Sequence, residues 1–302
     1  MAPCDFPGWA MSLVDGAIPH TACFWGSGAW IDGEIVVHTS WLNNIPAEAI
    51  LDWERHKHAD TVSLKLLANA GQVVNFSNAD LRGEYAYEPL FRPVGIEQLM
   101  GIYLPNPLTG LYDAISLYRA DPAAAFGADE CRAFAGVVPH LVEARRVNYL
   151  DGLNADRAHS AIPLRRHVAV ADLKGVLHAA EDDFIHLARL EWPNWQGARL
   201  PEALLARLGE GGEHCFGEKT VVRWLCRNDT YRLSIRPRTP ADSLSERERQ
   251  IARHFAEGRS HKGIALDFEI SPSTVRNHLS TIYRKLDIHG KAELTALLSQ
   301  ID

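Results

Sequence analysis

The chain has 302 residues, 46% hydrophobic and 23% charged, the make-up of two or three folded domains rather than of a disordered or fibrous protein. Its 31 Lys+Arg against 38 Asp+Glu give a net charge of -7, unevenly spread. Residues 243–302 hold 9 of the basic and 8 of the acidic residues, so the other 22 and 30 form an acidic body on a near-neutral tail.

Met1 to Trp9 contains Asp5 and two prolines but no Lys or Arg, unlike the basic start of a secretory leader. No run of about 18 apolar residues is present, so a spanning helix is not expected. These features predict a cytoplasmic protein with no membrane partner. Cys4, Cys23, Cys131, Cys215 and Cys226 are scattered without a CxxC pair, which points to free thiols rather than a disulfide framework or zinc site.

Residues 1–150 read as mixed α and β. Gly33–Thr39 forms a strand candidate after a turn, and Pro46–Ala70 has helical periodicity through Ile50, Trp53, Leu64 and Leu67. Leu111–Arg119 is strand-like. From Ala128 to about Leu150, the apolar positions Phe134, Val137, Val138, Leu141 and Val142 recur with a helical period. The pattern gives out near Asp151–Pro163, which marks a domain boundary.

Residues 164–236 form a second mixed unit. His167–Asp172 and Val176–Ala179 read as a hairpin, Glu181–Glu191 as a helix, and two further strands follow Gly209–Gly212. In the second of these, Tyr231, Leu233 and Ile235 alternate with Arg232, Ser234 and Arg236, giving one buried and one wet face. Arg236–Asp242, with two prolines and no large apolar residue, reads as a linker. No internal repeat is apparent.

In residues 243–302 the pattern is all-helical. Ser245 and Glu248 form a capping box before Ile251, Ala252 and Phe255, and that helix stops at Gly258. Ile264, Ala265 and Phe268 mark a short second helix. Ser271-Pro272 then opens a third, as N-cap and first helical residue. Val275, Leu279, Ile282 and Leu286 make one apolar stripe on it. Its other faces carry Ser273, Thr274, Arg276, Asn277, Ser280, Thr281, Arg284 and Lys285, side chains that bond phosphates and base edges. A last helix aligns Leu294, Leu297, Leu298 and Ile301.

Leu244-Ser245, Arg247-Glu248, Gly258, Ile264-Ala265, Ile270-Ser271, Thr274-Val275-Arg276, His278-Leu279, Ile282-Tyr283 and Lys285-Leu286 closely resemble the LuxR-type (GerE/FixJ-like) helix-turn-helix family. The resemblance covers nearly all of the last 60 residues. It implies four helices, the third in the major groove of double-stranded DNA and the fourth used to dimerise. By position, Thr274, Arg276, Asn277 and Ser280 approach bases, whereas Lys262, His278, Lys285 and Thr281 approach phosphates. Glu248 braces the module. Gly263, Phe268 and Lys291 depart from the family's usual residues and leave the second helix and the dimer side less defined.

An input region is then expected upstream. The early strand ends in His38-Thr39-Ser40, not in the acidic cluster of a phosphoacceptor receiver. Trp41, Trp53 and Tyr85 do not reproduce the spacing of an acyl-homoserine-lactone domain. Gly212–Thr220 approaches a phosphate-binding loop, but Glu218 stands before Lys219 and would put a carboxylate at the phosphates. Leu117–Arg119, Phe126–Glu130 and Pro139–Leu141 are similar to the end of a GAF-like domain, and Val168–Asp172 through Gly175 and Ala179 to the opening of a PAS-like domain. The fold class expected is therefore multidomain α+β: a mixed α/β, sensor-like (GAF/PAS-like) N-terminal region followed by an all-α helix-turn-helix bundle.

Five tryptophans, Trp9, Trp25, Trp30, Trp41 and Trp53, crowd the first 60 residues. Trp25, Trp30, Trp41, Trp53 and Tyr85 are candidates to line a small-molecule pocket, with core packing as the plainer alternative. His56-x-His58 reads as a solvated helix face, and no metal, cofactor or catalytic residue is assigned. The function expected is a homodimeric DNA-binding transcriptional regulator answering a small-molecule effector, with RNA polymerase a further partner to consider. A ligand-independent regulator whose N-terminal region serves dimerisation or protein–protein contact is the alternative, and an enzyme with a DNA-binding tail has no motif in its favour.

Overall fold

A computed structural model describes residues 6–31, 33–157, 166–210, 212–227 and 229–299, with the side chains of 151–157 left aside. The elements run α1 (Phe6–Ala17), β1 (Ala22–Ile31), β2 (Glu34–Asn43), α2 (Glu48–His56), α3 (Thr61–Ala68), β3 (Val73–Phe76), α4 (Asn78–Arg82), β4 (Gln98–Pro105), β5 (Leu111–Arg119) and α5 (Ala128–Arg157). They continue with β6 (His167–Asp172), β7 (Leu177–Ala180), α6 (Asp182–Glu191), α7 (Glu202–Gly209), β8 (His214–Phe216), β9 (Thr220–Arg227) and β10 (Thr230–Pro237). Four helices close the chain: α8 (Glu246–Ala256), α9 (His261–Asp267), α10 (Pro272–Leu286) and α11 (Lys291–Leu298).

β1 to β5 form one antiparallel sheet, A, in the order β2-β1-β5-β4-β3. Strand alternation divides its side chains between two different environments. Cys23, Trp25, Met100, Ile102, Ile115 and Leu117 meet Phe6, Met11 and Val14 of α1 and Phe134 and Val138 of α5. The other face presents Phe24, Leu99, Tyr103, Tyr112, Ala114 and Tyr118 toward α2, α3 and the turns that follow. Gly28 lies between: a side chain there would strike the Val36 carbonyl and the Tyr112 hydroxyl.

β6 to β10 form a second antiparallel sheet, B, in the order β7-β6-β10-β9-β8. The two sheets thus share one strand order, first hairpin beside last strand. The sequence shows no repeat because the common feature is a topology filled with different residues. Sheet B buries Ala169, Ala171, Val222, Trp224, Leu233 and Ile235 against Phe184, Ile185 and Ala188 of α6. β8 is a third strand after Gly212 where two were expected; it is too short for alternation to show.

The two units are not beads on a string. Ala29 and Leu111 of sheet A sit in the core of sheet B. The Thr109 carbonyl accepts from Ala198 N, and the Leu108 carbonyl accepts from Arg189 at 2.8 Å. α5 runs on to Arg157, into the expected boundary at Asp151–Pro163, whose remaining residues lie outside the described ones.

The expected linker at Arg236–Asp242 is instead a packed joint. Arg236 and Asp242 are 4% and 7% exposed and form a two-pronged ion pair at 2.5 and 2.7 Å. Asp242 also caps the short turn at Pro240–Ser243 by accepting from Thr239 N. Burial opposes ionisation of Asp242, but the Arg236 and Thr239 hydrogen bonds outweigh it and hold the carboxyl below its ordinary range. Prolines and polar residues looked like a linker because the partner charges are six residues apart and meet only in the fold. Ala241 and Leu244 then anchor the helical head.

Candidate nucleic-acid interface and an apolar cavity

The C-terminal helices fold as their local signals require. Ser245 Oγ accepts from Glu248 N while Glu248 Oε2 accepts from Ser245 N, closing the capping box. Gly258, at φ +95°, makes the left-handed turn that ends α8. Ser271 caps α10 by accepting from Thr274 N at 3.0 Å, and Pro272 starts it. Val275, Leu279, Ile282 and Leu286 are buried against Ile251, Ala252, Ile264, Leu294 and Leu298. Ile301 lies outside the described residues.

With that stripe inward, Ser273, Arg276, Asn277, Ser280, Arg284 and Lys285 are exposed on α10, and Thr274, His278 and Thr281 are half-buried at its margins. Lys262 is exposed on α9. α10 carries three Lys or Arg residues and no acid, so its solvent face is positive within an acidic protein. Two expected contacts are spent partly inside the module. Lys285 Nζ lies 2.8 Å from Glu248 Oε2, and Thr274 Oγ1 lies 2.8 Å from Ser271 Oγ. Burial disfavours the Glu248 anion, yet Lys285 and Ser245 more than compensate and keep it ionised below the usual carboxylate range. Glu248 is thus an internal brace between α8 and α10.

The unusual residues are accommodated. Gly263 N donates to the cap Ser260, and a side chain there would meet only ordinary contact. Phe268 closes α9 between the Arg247 guanidinium, 4.2 Å from its ring centre, and the His254 ring. Lys291 Nζ sits 5.3 Å over the Phe255 ring.

A second feature lies on the α2/α3 side of sheet A. There an apolar cavity, partly open to solvent, is lined by Phe24, Leu66, Trp53, Tyr103, Tyr112 and Ala114 among others. Of the five aromatics proposed from sequence, Trp53 alone lines it. Trp25 points to the opposite face, where its Nε1 donates to Asp113 and the Arg145 guanidinium lies over its ring. Trp41 packs toward α1, while Trp30 and Tyr85 are about half exposed. A strand's two-residue period separates Trp25 from the cavity, a division that aromatic counting does not see.

The phenols of the cavity were missed for the same reason; Leu111–Arg119 alternates Tyr112, Ala114, Ser116 and Tyr118 onto this face. Trp53 Nε1 donates to Asp60 Oδ2 at 2.9 Å, and Asp60 further accepts from Val62 N, Ser63 N and Ser63 Oγ. Its acceptor capacity is therefore used in capping α3. Burial pushes the Tyr103 phenol up to about 12, against a hydrogen bond with Ser63. Tyr112 is pushed higher still by burial, then by Tyr103, and its hydroxyl has no hydrogen-bond partner among the described residues. The cavity is thus mostly apolar, with the carboxylate of Asp60 in its lining and a Tyr112 hydroxyl that is without a partner among the described residues.

No described helix is long and apolar enough to cross a membrane, and no group of three or more His, Cys, Asp or Glu that could hold a metal occurs among the described residues.

The capped, three-helix core with a basic outer face on its third helix defines a helix-turn-helix module. Residues 242–298 match the family described as bacterial regulatory proteins, luxR family, and the C-terminal domain belongs to it. Over 58 residues the chain is 41% identical to the nitrate/nitrite response regulator protein homolog of Haemophilus influenzae, covering 19% of this chain and 28% of that protein. Over 102 residues it is 32% identical to the nitrate/nitrite response regulator protein NarP of Escherichia coli, 33% of this chain and 46% of that one. The chain thus spans between about a quarter and a half of these relatives. Among solved structures, Escherichia coli SdiA aligns over 99% of this chain and 91% of its own, at 12% identity and TM-score 0.36. The GAF domain of a two-component sensor histidine kinase from Bacillus halodurans aligns over 49% of this chain and 96% of its own, at 11% identity and TM-score 0.32.

Proposed function

We propose that the chain is a DNA-binding transcriptional regulator that reads a two-fold-symmetric site as a homodimer and answers a small molecule held in sheet A. The observation that carries the output is α10: one buried stripe, one exposed stripe of Ser273, Arg276, Asn277, Ser280 and Arg284, and no acid. That face can enter a major groove with its N-terminus toward phosphate. Arg276→Ala weakens DNA binding by about 1–3 kcal/mol, roughly fivefold to 150-fold, at constant salt and with an unchanged unfolding midpoint. Undiminished affinity in a shift assay removes α10 from the interface.

The input rests on the cavity and on Tyr112. A small, uncharged, mostly apolar molecule with a hydrogen-bond acceptor would fill the space and satisfy the buried hydroxyl, whose isolation otherwise costs about 1–3 kcal/mol. Mass spectrometry of small molecules released from freshly purified protein tests this. Tyr112→Phe should retain less of the released compound than the parent, and a parent that releases nothing favours the second reading. In that reading the N-terminal region only dimerises, for which α1 offers exposed Trp9 and Leu13, 47% and 57% accessible.

A further inference from the structure

A second pocket lies where the two sheets meet. β7, the edge strand of sheet B, forms one wall with His178, and sheet A forms another with Thr39 and Asp113. α5 covers them with Val142, Arg145 and Tyr149. Tyr112 and Asp113 are neighbours on β5 and so point to opposite faces, which sets this pocket on the other side of sheet A from the apolar cavity.

Its polar groups are held in place but not all spent. Asp113 Oδ1 accepts from Arg145 Nη1 at 2.6 Å and from Trp25 Nε1 at 2.9 Å. Oδ2 of the same carboxyl accepts no hydrogen bond among the described residues. Arg145 also donates to Thr39 Oγ1 at 2.9 Å, and these two bonds leave its other N–H donors unused. Both side chains stay partly open, Asp113 at 22% and Arg145 at 16%. His178 is a third such group. Neither of its ring nitrogens has a hydrogen-bond partner among the described residues, and Asp172 Oδ2, 4.0 Å from Nε2, stands beyond hydrogen-bond reach. Burial lowers the His178 pKa, so the ring is neutral and can give one hydrogen bond and take one. Charge, by contrast, is already balanced. Arg145 faces Asp113, while Arg146 donates to Glu143 at 2.8 Å and to the Ala180 carbonyl at 3.2 Å.

We propose that this pocket is a second ligand site, which takes an uncharged polyhydroxylated molecule of the sugar-alcohol class on Asp113 and Arg145. A hydroxyl both gives and takes a hydrogen bond, so neighbouring hydroxyls can donate to Asp113 Oδ2 and accept from Arg145, each bond strengthened by the charge on the protein side. An anion would meet the carboxylates of Asp113, Glu143 and Asp182, and a cation the guanidinium groups of Arg145 and Arg146, with no spare counter-charge for either. Leu104, Leu108 and Val142 give the C–H face of such a molecule an apolar wall. Bound there, it touches β7, sheet A and α5 at once and so favours the docked arrangement of the two units.

The full-length protein is titrated with sorbitol and with its charged counterparts gluconate and glucamine at matched ionic strength. Binding is read by calorimetry and by the indole N–H resonance of Trp25, identified by its loss in Trp25→Phe. That proton is donated to the carboxyl proposed to hold the ligand. Sorbitol should bind saturably and move the resonance, and each charged counterpart should bind at least tenfold more weakly. Asp113→Asn should weaken sorbitol at least tenfold. Val142→Phe, which narrows the pocket from α5 and removes no polar group, should do the same, and it reports alone if the Asp113 variant fails to fold. Tyr112→Phe should leave sorbitol binding unchanged, which separates this site from the apolar cavity. Absence of saturable sorbitol binding, binding that the Asp113 and Val142 variants retain, or equal binding of a charged counterpart overturns the proposal.

Discussion

Sheets A and B share a strand order and differ in how their helices close them. Sheet B is closed by α6, and the small residues Ala169, Ala171, Ala180 and Ala188 let the helix pack closely against it. Sheet A is roofed by shorter helices and turns held off by Tyr103, Tyr112 and Trp53, and the remaining space is the cavity. One topology thus yields a solid brace and a hollow face. The choice is made by side-chain volume on one face, since a core without voids and a binding site are opposite packing solutions.

The largest test of this contrast is Phe184→Ala. Phe184 is 1% exposed in the core of sheet B, so its removal should cost about 3–5 kcal/mol in denaturant unfolding. A loss below about 1 kcal/mol means that the sheet B core is not the brace described.

Overpacking draws the contrast more sharply. Ala169→Leu in the filled core should cost about 1–3 kcal/mol, whereas Ala114→Leu, directed into the cavity of sheet A, should cost less than about 1. Equal penalties would show that the cavity collapses in solution. The Ala114 variant should also lose any bound compound that the parent releases.

The smallest expected effect concerns where the sheets meet. His38 of β2 and His178 of β7 stack with ring centres 6.4 Å apart. Burial, then His178, lowers His38 from 6.5 to about 4, and burial lowers His178 as well. The unfolded chain therefore takes up protons first as pH falls. The stability linked to this pair is complete above about pH 6.5 and is lost progressively toward pH 4. His38→Gln should flatten that part of the pH–stability curve, and an unaltered curve would place the titration elsewhere.

The helix-turn-helix head was legible because its signals are local. A capping serine, a left-handed glycine, Ser271-Pro272 and a period of 3.6 act within a few residues, and the buried stripe leaves the opposite face outward by geometry alone. Strands such as His167–Asp172 and Leu111–Arg119 were legible for similar reasons. The strand over Ala22–Ile31 was not, because both of its faces are largely buried and alternation disappears.

The chain's own residues thus determined an acidic body, a DNA-reading head and the exposed side of its third helix. Tertiary structure decided the rest: the shared order of the two sheets, the cavity around Tyr112 and the Arg236–Asp242 joint. Each depends on residues far apart in sequence, or on which side of a strand they fall. Pairing register and packing volume settle those matters, and neither is written in any short stretch of chain.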